Sequence, residues 1–83
     1  MDVRYVRKVE VFLDALDPHI RERIIEKILF FSRQPDPRIF AERMTGVPCY
    51  RFRVGDHRVI FELLDNTLVI LLIKPRDKVY RNL

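Results

Sequence analysis

Residues 49–73 constrain the fold of this chain more than any other stretch. Cys49-Tyr50-Arg51-Phe52-Arg53-Val54 is rich in strand formers, and Gly55-Asp56 separates it from a second such run ending Val59-Ile60-Phe61. Asp65-Asn66 then precedes Leu68-Val69-Ile70-Leu71-Leu72-Ile73. Short Gly-Asp and Asp-Asn pairs between β-rich runs are hairpin signals, because these residues tolerate the positive φ that tight hairpin turns require. Two hairpins in succession predict a three-stranded antiparallel meander over about 49–54, 58–64 and 67–73. The last run is apolar on both faces, which predicts a central strand in a sheet covered on both sides.

The first half of the chain predicts helices. Val9, Phe12, Leu13 and Leu16 recur at helical spacing. Asp17-Pro18 carries cap chemistry, with an aspartate to accept free amide protons and a proline that has none to satisfy. A second helix is expected from about Pro18 to about Ser32, with Ile20, Ile24, Ile28 and Phe31 as its apolar stripe, widened by Ile25 and Leu29. Gln34-Pro35-Asp36-Pro37 ends it, since each proline disfavours helix in the residue before it. Ile39, Phe40 and Met44 form a turn over the core, and Val3 to Val6 is a short first strand. The fold class expected is α+β: two N-terminal helices on a small, mainly antiparallel sheet of three to four strands. With 83 residues the chain forms one domain, residues 1–83.

Composition narrows the setting. The longest apolar run is strand-sized, so no membrane helix is expected. The opening Met1-Asp2-Val3-Arg4-Tyr5 has no signal-peptide apolar region. One cysteine excludes an internal disulfide, and two histidines make a zinc cluster improbable. A cytoplasmic protein without metal or cofactor is the expectation. Lone Cys49 reads as a small buried hydrophobe. The net charge is +4. Residues 1–45 hold nine Lys/Arg against eight Asp/Glu, while residues 46–83 hold seven against four. The surplus therefore travels with the strands, and a basic sheet favours an acidic partner.

Alternation along 50–54 separates Tyr50, Phe52 and Val54 from Arg51 and Arg53. The aromatics enter a core while the arginines stand together on the other face, and Arg58 joins them across the turn. Guanidinium groups pair well with phosphate oxygens, so the cluster suits a nucleic-acid backbone. The plain alternative is a solvated strand face, with Arg58 fastening the hairpin through Asp56.

The order of helices and meander, with Tyr-Arg-x-Arg-x-Gly-Asp-His-Arg-Val at Tyr50–Val59, resembles the RelE/ParE superfamily of toxins from type II toxin–antitoxin systems. The resemblance extends from the Leu13/Leu16 helix through Met44-x-Gly46 to the basic segment ending Lys78-Val79-Tyr80. It is closer to the RelE branch, and implies a ribosome-dependent mRNA endonuclease that inhibits translation. It also implies a cognate antitoxin that wraps the chain, and the ribosome and mRNA as further partners. Carried over residue by residue, it makes Arg51, Arg53, Arg58, Arg76 and Tyr80 catalytic, with Lys74 the alternative to Arg76. Lys74, Lys78, Arg81 and His57 would bind nucleic acid. Some relatives have lysine where this chain has Arg51 and Arg53.

That difference bears on mechanism. Metal-independent RNA cleavage turns the 2′-hydroxyl on the adjacent phosphate, and needs a proton acceptor, charge stabilisation and a proton donor. Arginine meets the second need but stays protonated. His57 is the natural titrating group, although it stands at the turn. Lys74, Lys78 and Tyr80 are the other candidates. Tyr80 reads equally as a core plug, and Lys74-Pro75-Arg76-Asp77-Lys78 as a solvated tail. Two competing functions are a ParE-like DNA gyrase inhibitor and a degenerate, non-catalytic antitoxin-binding homologue.

Overall fold

The computed structural model describes residues 1–75. Strand β1 (Asp2–Tyr5) leads into helices α1 (Arg7–Asp14) and α2 (Pro18–Ser32). A short 3₁₀ turn (Pro37–Phe40) and strand β2 (Glu42–Arg43) follow, then β3 (Tyr50–Val54), β4 (His57–Leu64) and β5 (Thr67–Pro75). The sheet order is β1-β5-β4-β3-β2. The β2–β3, β3–β4 and β4–β5 pairs are antiparallel, and β1 runs parallel to β5.

Among the described residues the sheet therefore has five strands, which corrects the expected three to four; it is mainly antiparallel, as expected, with one parallel pair, β1–β5, that makes it mixed. The two helices carry the chain from β1 to β2 at the far edge of the sheet, and the β3–β4–β5 meander then steps back until β5 lies beside β1 and parallel to it. Strand β2 is two exposed polar residues with no apolar pattern to announce it. The apolar run in β5 does lie inside the sheet, bonded to β1 and β4, while β4 is the middle strand.

Helix α2 spans the expected residues because its ends are chemically marked. Asp17 Oδ1 accepts the His19 amide at 2.8 Å, and Pro18 opens the first turn. Helix α1 lacks a side-chain cap at Val6 and ends earlier than its apolar spacing suggests, at Asp14. Val9 and Leu13 from α1 and Ile24, Ile28 and Phe31 from α2 meet one face of the sheet. That face carries Phe52, Val54, Val59, Phe61, Leu68, Ile70 and Ile73. Ile20 and Leu29, both assigned to the helix stripe, are each 37% exposed at its margins. Both helices cover the same face, so among the described residues no helix covers the other.

Both hairpin turns have the geometry their residues favour. Gly55 has φ +59°, and Asp65 and Asn66 have φ +46° and +59°. Two consecutive positive φ values match the right-handed twist of the flanking strands. Strands β4 and β5 contain one irregularity: Ile60 pairs with Leu72 but Phe61 pairs with Ile70, so Leu71 is an extra residue. Such a bulge reverses which face the following side chains occupy. Ile70 and Ile73 consequently both reach the core despite their odd spacing, and Lys74 turns to the opposite face.

Candidate functional site

Register alone builds a row of cations. Arg53 lies opposite Arg58 in the β3–β4 pair, and Arg58 lies opposite Lys74 in the β4–β5 pair. Residues directly opposite each other share a face, so all three project from the face the helices leave open. Neighbouring strands put their stems about 5 Å apart. Arg53 and Lys74 are exposed and Arg58 is half-buried. Like charges opposite one another oppose pairing, and a buried apolar face beneath holds them together.

Arg51 shares this face but differs in its surroundings. Its Nε donates to Glu42 Oε1 at 2.9 Å, across the β2–β3 pair. Sequence reasoning missed Glu42, since nothing in the chain marks Glu42-Arg43 as a strand. The paired carboxylate offsets Arg51, whereas Arg53, Arg58 and Lys74 have no hydrogen bond or ion pair among the described residues. The fork of Arg38 closes on Asp36 at 2.8 and 2.9 Å. That contact holds the Asp36 carboxyl below the usual carboxylate range.

His57 does not join the row. It pairs with Val54 and faces the helices, with its ring 6.0 Å from that of Phe12 in an edge-on arrangement. Alternation places His57 and Arg58 on opposite faces, so the histidine stands away from anything held by the arginines. Cys49 is half-buried. Arg76, Lys78, Tyr80 and Arg81 lie outside the described residues.

Beside the row, at the margin between α2 and β3, is an open groove of about 800 Å³. Phe30, Phe31, Phe40 and Phe52 wall it with mutual ring contacts, the closest being Phe31–Phe52 at 4.2 Å between centroids. Phe30 and Phe40 remain 44% and 45% exposed. The Lys27 ammonium lies 5.8 Å from the Phe30 ring and 5.9 Å from that of Phe31.

The sequence profile of the ParE toxin of the type II toxin–antitoxin system parDE matches residues 3–80. The chain belongs to the ParE toxin family. No curated protein sequence matches it. The fold of this ParE-family toxin is that of RelE. It superposes on the isolated *Escherichia coli* RelE toxin with a TM-score of 0.77 at 14% identity, covering 96% of this chain and 90% of that one. The intact *E. coli* RelBE toxin–antitoxin complex gives 0.76 at 13%, covering 93% and 98%. The RelBE2 toxin–antitoxin complex of *Mycobacterium tuberculosis* gives 0.73 at 23%, covering 93% and 92%. The chain is thus a type II toxin of the RelE/ParE superfamily. Among its described residues, no helix is long and apolar enough to cross a membrane.

Proposed function

We propose that this toxin is a ribosome-dependent mRNA endonuclease whose phosphate clamp is the Arg53–Arg58–Lys74 row. The observation that carries the proposal is the register that aligns these three side chains on the open face. A cation row of this kind stabilises the charge that grows on phosphorus as the 2′-hydroxyl attacks. Arg58, with a neighbour on each side, is assigned the central contact. Lys74 takes the C-terminal basic position, since the bulge at Leu71 brings it opposite Arg58. Arg76, Lys78, Tyr80 and Arg81 remain proposed contributors on the grounds of the family resemblance. His57 is assigned a packing role against Phe12 instead of RNA contact.

Proton removal cannot fall to the arginines. Glu42 offers a carboxylate on the same face, held by Arg51, and we assign it as the acceptor. The ribosome would supply the alignment of the mRNA. A cognate antitoxin is the proposed partner, in a hetero-oligomer acting in the cytoplasm.

The test is primer extension on a message translated in a reconstituted system. Cleavage within codons is expected only when ribosomes are present. Arg58→Ala should lower the rate by about 10²–10³-fold, the usual loss for a preorganised charge-stabilising donor. Wild-type-like cleavage by Arg58→Ala would remove the site assignment. Gyrase inhibition is the second reading, favoured by the match to the ParE profile. Inhibition of supercoiling by purified gyrase, with messages left intact, would select it.

A further inference from the structure

The open face of the sheet is built in tiers along the strands. Lys74, Arg58 and Arg53 make the first tier. The next open-face residues on the same strands are Leu72, Ile60 and Arg51, which the register again sets opposite one another. A third tier holds Glu62 opposite Val69, with Arg4 of β1 on the far side of Val69. Along β4 successive tiers lie about 7 Å apart, the rise of two strand residues. Ile60 and Leu72 are half-buried and form an apolar platform. Arg51, tied to Glu42, bounds that platform on the β3 side. Glu62 is half-buried and has no hydrogen bond or ion pair among the described residues.

We infer that Ile60 and Leu72 seat one base of the bound RNA and that Glu62 reads the edge of that base, selecting guanine. The inference rests on the proposed phosphate contact at the cation row. A nucleotide held there by its phosphate reaches across its ribose to a base about one tier away. In one direction β3 and β4 end at the Gly55-Asp56 turn, so the sheet offers a platform only in the other, over Ile60 and Leu72. The flat face of an unstacked base packs on apolar side chains while its edge stays free to hydrogen-bond. Glu62, one tier further along β4, stands at that edge. An ionised carboxylate only accepts hydrogen bonds. Guanine presents two adjacent donors on its Watson–Crick edge, N1–H and the N2 amine, which together match the two carboxylate oxygens. Adenine and cytosine present one amine beside a ring-nitrogen acceptor, and uracil presents one N–H between two carbonyls. Each of these sets a lone pair against the carboxylate, and a half-buried site makes that mismatch costly.

The experiment measures, by fluorescence anisotropy, binding of the full chain to labelled 2′-O-methyl pentanucleotides, which cannot be cleaved. The central base is guanine, inosine, adenine, cytosine or uracil, and the rest are uracil. The guanine pentamer should bind about tenfold tighter than those with adenine, cytosine or uracil. Inosine lacks only the N2 amine and should bind about threefold weaker than guanine. Glu62→Gln keeps the size of the side chain but replaces one acceptor with a donor. It should bring all the pentamers within about twofold of one another, with the thermal midpoint kept. On a translated message in the reconstituted system, the same variant should lower the share of cuts beside guanine by about fivefold or more. Equal affinity of the wild type for every pentamer, an unchanged preference in Glu62→Gln, or guanosine monophosphate binding as tightly as the guanine pentamer would overturn the inference. Guanine-selective binding by a chain that cuts no message would overturn the endonuclease function and support the subsite. Cleavage on the ribosome with no base preference would keep that function and overturn the subsite.

Discussion

Arg58→Gln should stabilise the fold while disabling the site. Arg58 is the middle member of the row, with Arg53 on one side and Lys74 on the other. Removing it relieves two repulsions, whereas removing either outer member relieves one. With charged heads about 5–8 Å apart in water, each adjacent pair costs about 0.5–0.8 kcal/mol. A Debye length of about 8 Å at 0.15 M salt reduces this to about 0.2–0.4 kcal/mol. The expected gain for Arg58→Gln is therefore about 0.4–0.9 kcal/mol at that salt, and about 0.8–1.4 kcal/mol at 0.01 M. For a domain of this size the former is a rise of about 2–7 °C in the midpoint. The assay is thermal unfolding of wild type, Arg58→Gln, Arg53→Gln and Lys74→Gln at both salt concentrations. Lost packing of the half-buried Arg58 stem opposes the gain, but it depends little on salt, so the salt dependence isolates the charge contribution. Arg51→Gln should bring no such gain, because Arg51 faces Glu42 at 2.9 Å. A difference for Arg58→Gln that does not shrink with added salt, or a gain no larger than those of the outer variants, would refute the reasoning.

Three further outcomes follow from the structure. Binding of a non-cleavable single-stranded RNA should weaken with salt at a log–log slope of about −2 if the three cations each meet one phosphate, and Lys74→Gln should reduce that slope by about 0.7, as read by fluorescence anisotropy. Asp17→Ala removes the acceptor of the His19 amide and should cost about 1 kcal/mol in urea unfolding, with RNA binding unchanged. Phe61→Ala empties the fully buried centre of β4 and should cost about 3–5 kcal/mol, measured by the same unfolding.

What the sequence made legible was local. Asp17-Pro18 fixed the start of α2, and Gly55-Asp56 and Asp65-Asn66 fixed both hairpins, because caps and tight turns depend on a few residues with distinctive chemistry. Arg51, Arg53 and Arg58 could be placed on one face because a two-residue turn sets the register between β3 and β4. The parallel pairing of β1 with β5 was not legible, since its four residues meet a partner more than sixty positions away. Strand β2 was hidden for the opposite reason: two polar residues have no period. Glu42 was hidden with it. His57 was read by its chemistry and not by its parity, although adjacency to Arg58 already places it on the other face. The choice between Lys74 and Arg76 stayed open because Leu68–Ile73 is apolar throughout, and a uniform run cannot reveal a change of phase within it.

The extra residue at Leu71 works as a reading-frame shift in the hydrophobic pattern. Upstream of it, even-numbered residues of β5 face the core, and downstream the odd-numbered ones do. The two halves of the strand are phased independently. Core packing at Leu68 and Ile70 therefore places no constraint on which of Ile73 and Lys74 points outward; the length of the segment between them decides it. A one-residue insertion or deletion here would put Ile73 on the open face in place of Lys74 without altering a single side chain. In this fold, the length of β5 is as much a determinant of the surface as its composition.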